Sequence, residues 1–195
     1  TMQPAPKPLR QQVIQKARKI MNLQPVVLDT ETTGLGSYDE IIEIALVNHQ
    51  GKVIFESLVH PTIEIPPDST RINRITNEMV KSAPPWQEVW NQVQPLINRK
   101  PVVIYNSEFD VRLMQQSHRI ARIPWTNVFT PVCLMKLYAA FLGEWNSYKN
   151  DFRFVTLEKA GAHSGIQLPN SHRAADDTLL AYTLLKHLAS LNEAE

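Results

Sequence analysis

The sequence predicts an α/β fold in which a mixed five-stranded sheet, built from a three-stranded meander plus parallel strands, is flanked by helices. Three observations predict it. Three β-patterned runs, beginning at Val26, Ile41 and Lys52, follow one another with only turn residues between them, as the strands of a meander do. A fourth run, Pro101-Val102-Val103-Ile104-Tyr105, leads almost directly into a helical pattern from Phe109, the order of a parallel β-α unit. Amphipathic stripes over residues 86–97 and 174–191 supply helices to cover the faces of the sheet.

Bulk properties set the frame. A length of 195 residues with 43% hydrophobic content suits one globular unit with a sizeable core and leaves no room for a second full domain. The net charge of +1 argues against a protein that coats nucleic acid through a large basic surface. The single cysteine, Cys133, excludes an internal disulfide and cysteine-based zinc sites; it sits in an apolar, helix-like run and reads as a core thiol. With neither a membrane-length apolar run nor a signal-peptide pattern, the expected location is cytoplasmic, with no membrane partner.

The chain divides into residues 1–24 and residues 25–195. The first part carries Lys7, Arg10, Lys16, Arg18 and Lys19 with no acid before Asp29, and Pro4, Pro6 and Pro8 keep its beginning extended. Residues 9–21 have a helical pattern with Val13, Ala17, Ile20 and Met21 on one side. This segment reads either as a surface helix docked on the domain or as an arm that meets phosphate, a polymerase or another protein partner.

The meander follows. Val26-Val27-Leu28 runs into Asp29-Thr30-Glu31-Thr32-Thr33-Gly34-Leu35; residues 41–47 form a buried strand, 48–51 a hairpin turn and 52–60 a third strand. Residues 61–76, rich in Pro, Asp, Ser and Thr, read as a loop. Arg71 and Arg74 within it suit either phosphate contacts or ordinary solvated positions. In residues 86–97 the apolar positions recur at helical spacing as a core stripe, with Pro95 expected to kink or restart the last turn. Residues 127–130 read as a short edge strand, 133–141 as a helix and 156–162 as another. Residues 143–153 form an aromatic-polar insertion whose Trp145, Tyr148 and Phe152 either cover the core or stack bases.

The chemistry concentrates in carboxylates. Alternate side chains of a strand share a face, so Asp29 and Glu31 point the same way. Two like charges in a partly buried place call for a cation between them, unless they are simply solvated at a strand end. Asp110 shares a helical side with Leu113 and Met114, and Asp177 with Leu180, Ala181, Leu184 and Leu188. Each alone reads as an acid near a helix N-terminus; acids on two apolar faces plus a same-face pair point to a shared ligand.

The ordered set Asp29-x-Glu31-Thr-Thr-Gly-Leu, Asn106-x-x-Phe109-Asp110 and His172-x-Ala174-x-x-Asp177 resembles the DEDDh (DnaQ-like) 3′-to-5′ exonucleases over about residues 25–190. That family includes stand-alone bacterial and phage members and the proofreading epsilon subunit of DNA polymerase III. The resemblance implies a ribonuclease-H-like fold and a hydrolase acting on nucleic-acid 3′ ends, single-stranded DNA in preference with RNA as an alternative, in repair or proofreading. It implies two divalent ions, Mg²⁺ or Mn²⁺, held by Asp29, Glu31, Asp110 and Asp177, with His172 as general base. It places Thr32 and Leu35 against the terminal sugar and base and gives Asn106 an ordering role. Asn73 stands where many relatives have histidine, so its substrate contact is a departure from the pattern. A non-catalytic end-binding adaptor on the same fold is the alternative from another class.

Overall fold

The computed structural model describes residues 9–192; the proline-rich start of the predicted arm, with Lys7, lies outside the described residues. Strands β1 (Val26–Thr32), β2 (Ile41–Val47) and β3 (Val53–Leu58) form the antiparallel meander, and β4 (Pro101–Ile104) and β5 (Thr130–Cys133) add in parallel beyond β1. The order is β3-β2-β1-β4-β5, so the strand carrying Asp29 and Glu31 is central.

The period of two in β1 sends its residues to two separate cores. Val27 faces α8 (Ala174–Ser190), α1 (Arg10–Asn22) and α6 (Leu134–Leu142), with Leu137, Leu180, Leu184 and Leu188 around it. Val26 and Leu28 face α4 (Trp86–Ile97) and α5 (Ser107–Ala121), among Trp90, Val93, Leu113 and Met114. Glu31 and Asp29 continue the first face beyond Val27, and Thr30 continues the second.

Helix α1 buries Val13, Ile14, Ala17 and Ile20, so Ile14 takes the place expected for the half-buried Met21. Two of its basic residues are used in docking. Arg18 donates to the carbonyls of Ala189 (3.0 Å) and Leu191 (2.6 Å) at the end of α8, where a cation meets the negative helix terminus; Arg10 lies 5.3 Å from the centre of the Phe141 ring.

Several expectations are corrected. Residues 61–76 are not all loop: α2 (Pro67–Asn73) lies within them and α3 (Asn77–Val80) follows. The Pro66-Pro67 pair that reads as a breaker instead starts α2, since proline at the first helical position loses no bond and has its φ already set. The edge strand is Thr130–Cys133, not residues 127–130. Pro131 is tolerated there because an edge strand has one unpaired side. Cys133 therefore ends a strand, half-buried, with its thiol 3.5 Å from the Tyr105 carbonyl. Helix α4 runs through Pro95 as one element to Ile97. The insertion is a small hairpin of β6 (Trp145–Asn146) and β7 (Asp151–Phe152), in which Trp145 and Phe152 meet edge to face at 5.5 Å while Tyr148 is 95% exposed. Between it and α8 lies α7 (Leu157–His163), capped by Thr156. No helix among the described residues is long and apolar enough to cross a membrane.

Candidate active site

The C-terminal end of β1 opens into a depression of about 240 Å³ lined by Asp29, Glu31, Asn106, Asp110, His172 and Asp177, with Thr30, Phe109, Thr156 and Asn170 among its other walls. Asp29, Glu31 and Asp177 each offer a carboxylate oxygen, and these oxygens lie within 4.8 Å of one another. Asp177 belongs to the first turn of α8, whose inward stripe brings it over the face that Asp29 and Glu31 share. Asp110 enters from α5, on the opposite face of β1. Its carboxylate stands outside that group of oxygens and accepts a 2.7 Å hydrogen bond from Thr30 Oγ1, the one β1 side chain between the two acids.

Electrostatics explain why such a cluster needs a cation. Burial, reinforced by the charges of Asp110, Glu31 and Asp177, raises Asp29 well above the usual carboxylate range. Burial and the neighbouring Asp177 and Glu43 push Glu31 up to about 9. Asp110 rises to about 7 by burial, against the pull of its bonds to Thr30. Asp177 rises to about 7 for the same cause, opposed by the backbone N–H groups of His172 and Ser171. Four acids that resist losing their protons make a site whose charged form is completed by positive charge. Their oxygen donors suit a hard divalent cation such as Mg²⁺ or Mn²⁺.

The segment carrying His172 is held at every residue. Asn170, with its amide nitrogen turned toward Asp177 so that both groups are satisfied, donates to Oδ1 at 2.8 Å and Oδ2 at 3.1 Å. Ser171 Oγ donates to Asp176 Oδ2 at 2.5 Å. His172 itself adopts φ 54°, a left-handed conformation that costs a non-glycine residue strain. Arg173 forks onto Glu43, Nε donating at 3.0 and 3.1 Å and Nη2 at 2.5 Å, and Glu43 Oε2 also accepts from the Ala174 N–H at 2.9 Å. Glu43 sits on β2 directly opposite Glu31, its side chain 1% exposed. Sequence reasoning missed Thr30, Glu43 and Asn170. Glu43 had a signal, as the one charge in Ile41-Ile42-Glu43-Ile44-Ala45-Leu46-Val47; Asn170 had none.

Of the remaining predicted residues, only Asn106 lines the depression. Leu35 is 78% exposed just past β1. Thr32 is buried, with Oγ1 donating to the Gly34 carbonyl at 2.8 Å. Asn106 is exposed at the start of α5 and makes no side-chain cap. Asn73 is only 2% exposed; its amide donates to the Thr32 carbonyl (3.4 Å) and accepts from the Ile75 N–H (3.0 Å). It braces Thr32 from behind instead of facing the rim, because both ends of its amide are engaged internally.

Fold and site together define a class: an acidic, cation-demanding centre with one histidine, mounted at the C-terminal end of the central strand of a ribonuclease-H-like sheet. Residues 26–185 match the RNase_T exonuclease family. The chain is 34% identical to the exonuclease CP81 of Escherichia phage 186 over 183 residues, 91% of this chain and 94% of that protein. It is 30% identical to the DNA polymerase III subunit epsilon of Treponema pallidum, covering 84% of this chain and 77% of that one. Among solved structures, exonuclease X in complex with 5′ overhanging duplex DNA superposes with a TM-score of 0.62 at 26% identity, over 83% of this chain and 89% of that chain. The nuclease domain of 3′hExo, a DEDDh family member bound to rAMP, shares the fold at TM-score 0.67 and 14% identity, over 84% and 90% of the two chains. The chain belongs to this exonuclease family, the DEDDh or DnaQ-like group. It is a 3′-to-5′ exonuclease.

Proposed function

We propose that the protein removes nucleotides one at a time from single-stranded or frayed 3′ ends, DNA in preference, releasing nucleoside 5′-monophosphates. The observation that carries this reading is the group of three carboxylates within 4.8 Å that shares its pocket with His172. The preference for DNA rests on the relatives at 26–34% identity, which are a phage exonuclease, a DNA polymerase subunit and an exonuclease bound to duplex DNA.

Asp29, Glu31 and Asp177 would hold one divalent ion, and Asp29 with Asp110 a second, either Mg²⁺ or Mn²⁺. When bound, such ions supply an acidified water and stabilise charge on the attacked phosphate and on the leaving oxygen. The chain's own residues do the rest. His172 accepts the proton of the attacking water, because an imidazole can take a proton near neutral pH while carboxylates committed to metal cannot. A P–O bond to water forms as the P–O3′ bond breaks, leaving a 5′-phosphate on the released nucleotide and a 3′-hydroxyl on the shortened strand. In this reading, which for these three residues rests on the family resemblance, Leu35 and Thr32 would meet the terminal base and sugar, and Asn106 would order the mouth of the depression that it lines.

Product analysis tests this reading. In H₂¹⁸O with Mg²⁺, the label should enter the phosphate of released 5′-mononucleotides, and deoxy strands should be consumed faster than ribo strands. Release of 3′-mononucleotides would overturn the bond assignment, and a faster ribo rate would move the substrate to RNA ends.

A further inference from the structure

The loop that leaves β1 presents two exposed apolar side chains on a backbone fastened from below. Leu35 is 78% and Tyr38 81% exposed, yet every carbonyl between residues 35 and 39 except that of Tyr38 itself accepts a side chain of α5. Arg112 donates to the carbonyls of Leu35 (3.1 Å) and Gly36 (3.3 Å). Gln116 donates to those of Gly36 (3.1 Å) and Asp39 (3.0 Å), and Arg119 to that of Ser37 (2.8 Å). Inside the loop, Asp39 accepts from the Gly36 N–H and from Thr33 Oγ1, both at 2.7 Å. A side chain at Gly34 would meet the Asp39 carboxylate at 2.7 Å, so the glycine is what lets this cradle close.

Single exposed apolar residues are ordinary on a surface. A loop whose backbone is this heavily engaged, with its apolar side chains left outside, is built to present them. Its place narrows what they meet. Arg112, which pins the loop, stacks 5.4 Å over Phe109, a wall of the catalytic depression, and lies two residues from Asp110 on the same helix. We propose that residues 33–40 form a preorganised nucleobase platform, and that Tyr38 stacks on a base of the bound strand beyond the terminal nucleotide, with Arg112 as the residue that positions it. The ligand chemistry is the π-face of a base, which any sequence offers. The platform rests on the nuclease reading above and deepens it by assigning a contact beyond Leu35.

Fluorescent 2-aminopurine placed second, third or fourth from the 3′ end, bound in chelator so that no cleavage occurs, reads stacking directly. Wild type should quench the probe at one of these positions; Tyr38→Ala should abolish that quenching, and Tyr38→Phe should keep it. With Mg²⁺, Tyr38→Ala should raise KM for a ten-nucleotide strand about tenfold with kcat retained, and Arg112→Ala should raise it in the same direction. Unaltered quenching and KM in Tyr38→Ala overturn the platform. Wild-type hydrolysis of the p-nitrophenyl ester of thymidine 5′-monophosphate, too short to reach Tyr38, separates the two claims: its absence sinks the nuclease reading, and its presence with no effect of Tyr38→Ala on quenching or on KM for the ten-nucleotide strand sinks the platform alone.

Discussion

Thr30 is a single hydroxyl with a consequence out of proportion to its size. Its neighbours Asp29 and Glu31 face α8, and its own side chain, on the opposite face, takes hold of Asp110 at 2.7 Å. Thr30→Val keeps the shape and removes the donor from a buried carboxylate, so stability should fall by about 1–3 kcal/mol and Mn²⁺ affinity by roughly tenfold or more. Urea melts and a Mn²⁺ titration check both, and an unchanged affinity would separate Asp110 from the metal site. The acids also dictate a pH dependence. Each has a folded pKa raised above its unfolded value, so its contribution to stability is complete below the unfolded value and is lost as pH rises through the folded one, about 7 for Asp110 and Asp177 and about 9 for Glu31. In chelator the melting temperature should therefore fall between about pH 5 and pH 9. Glu31→Gln should flatten the upper part of that fall, and Mn²⁺ should stabilise more at the alkaline end than at the acid end. At this scale much was legible: period two placed Asp29 with Glu31, and helical stripes placed Asp110 and Asp177. The contacts of Thr30 with Asp110 and of Glu43 with Arg173 were not, because they pair residues 80 and 130 positions apart, so that the lone charge of Glu43 in its strand names no partner; the Asn170 contact with Asp177 was not, because the loop between them has no periodic pattern.

The element that sets the histidine is the junction between residue 170 and the start of α8. Arg173 is a third exposed at its side chain, but its partner Glu43 is buried and, among the described residues, pairs with no second cation. Arg173→Ala strands that carboxylate beneath the Ala174 N–H, and should cost about 3 kcal/mol, the lower end for a broken buried pair because the arginine side is partly screened by water. It should also lower kcat more than KM, since the strained φ of His172 relaxes when its neighbour is released. Denaturant melts paired with steady-state kinetics test this, and a pure KM effect would contradict it. The left-handed backbone at His172 had no sequence signal, since no glycine or asparagine marks it. Helix α2 was hidden for a different reason: Pro66-Pro67 reads as a breaker until its role as a helix start is seen. The strand through Pro131 was hidden because only its place at the sheet edge permits a proline there.

Across the whole molecule, one sheet is packed on both faces, and the site lies where the faces meet at the end of β1. Leu184 belongs to the core under α8 and Leu113 to the core under α5, both fully buried. Leu184→Ala and Leu113→Ala should each destabilise by about 2–5 kcal/mol. Each should keep a single cooperative transition, because the shared strand β1 ties the two cores together; two separate transitions would show that the faces fold independently. The fold class was legible because its two signals, a meander and a β-α unit, are local. How the second unit joins the first, with β4 beside β1, is a long-range pairing that no local pattern in the sequence marks.

The central claim is that the carboxylates of β1, α5 and α8 and the histidine before α8 form one metal-dependent centre that shortens strands from the 3′ end. The most direct measurement follows single strands labelled at the 5′ end and, separately, at the 3′ end, with Mg²⁺, with Mn²⁺ and with chelator, for wild type and His172→Ala. The account predicts a descending ladder from the 5′-labelled strand and immediate release of a labelled mononucleotide from the 3′-labelled one, both abolished by chelator and reduced by a factor on the order of 10²–10⁴ in His172→Ala. Binding of 3′ ends with no shortening under any condition, or a ladder indifferent to chelator, would contradict it.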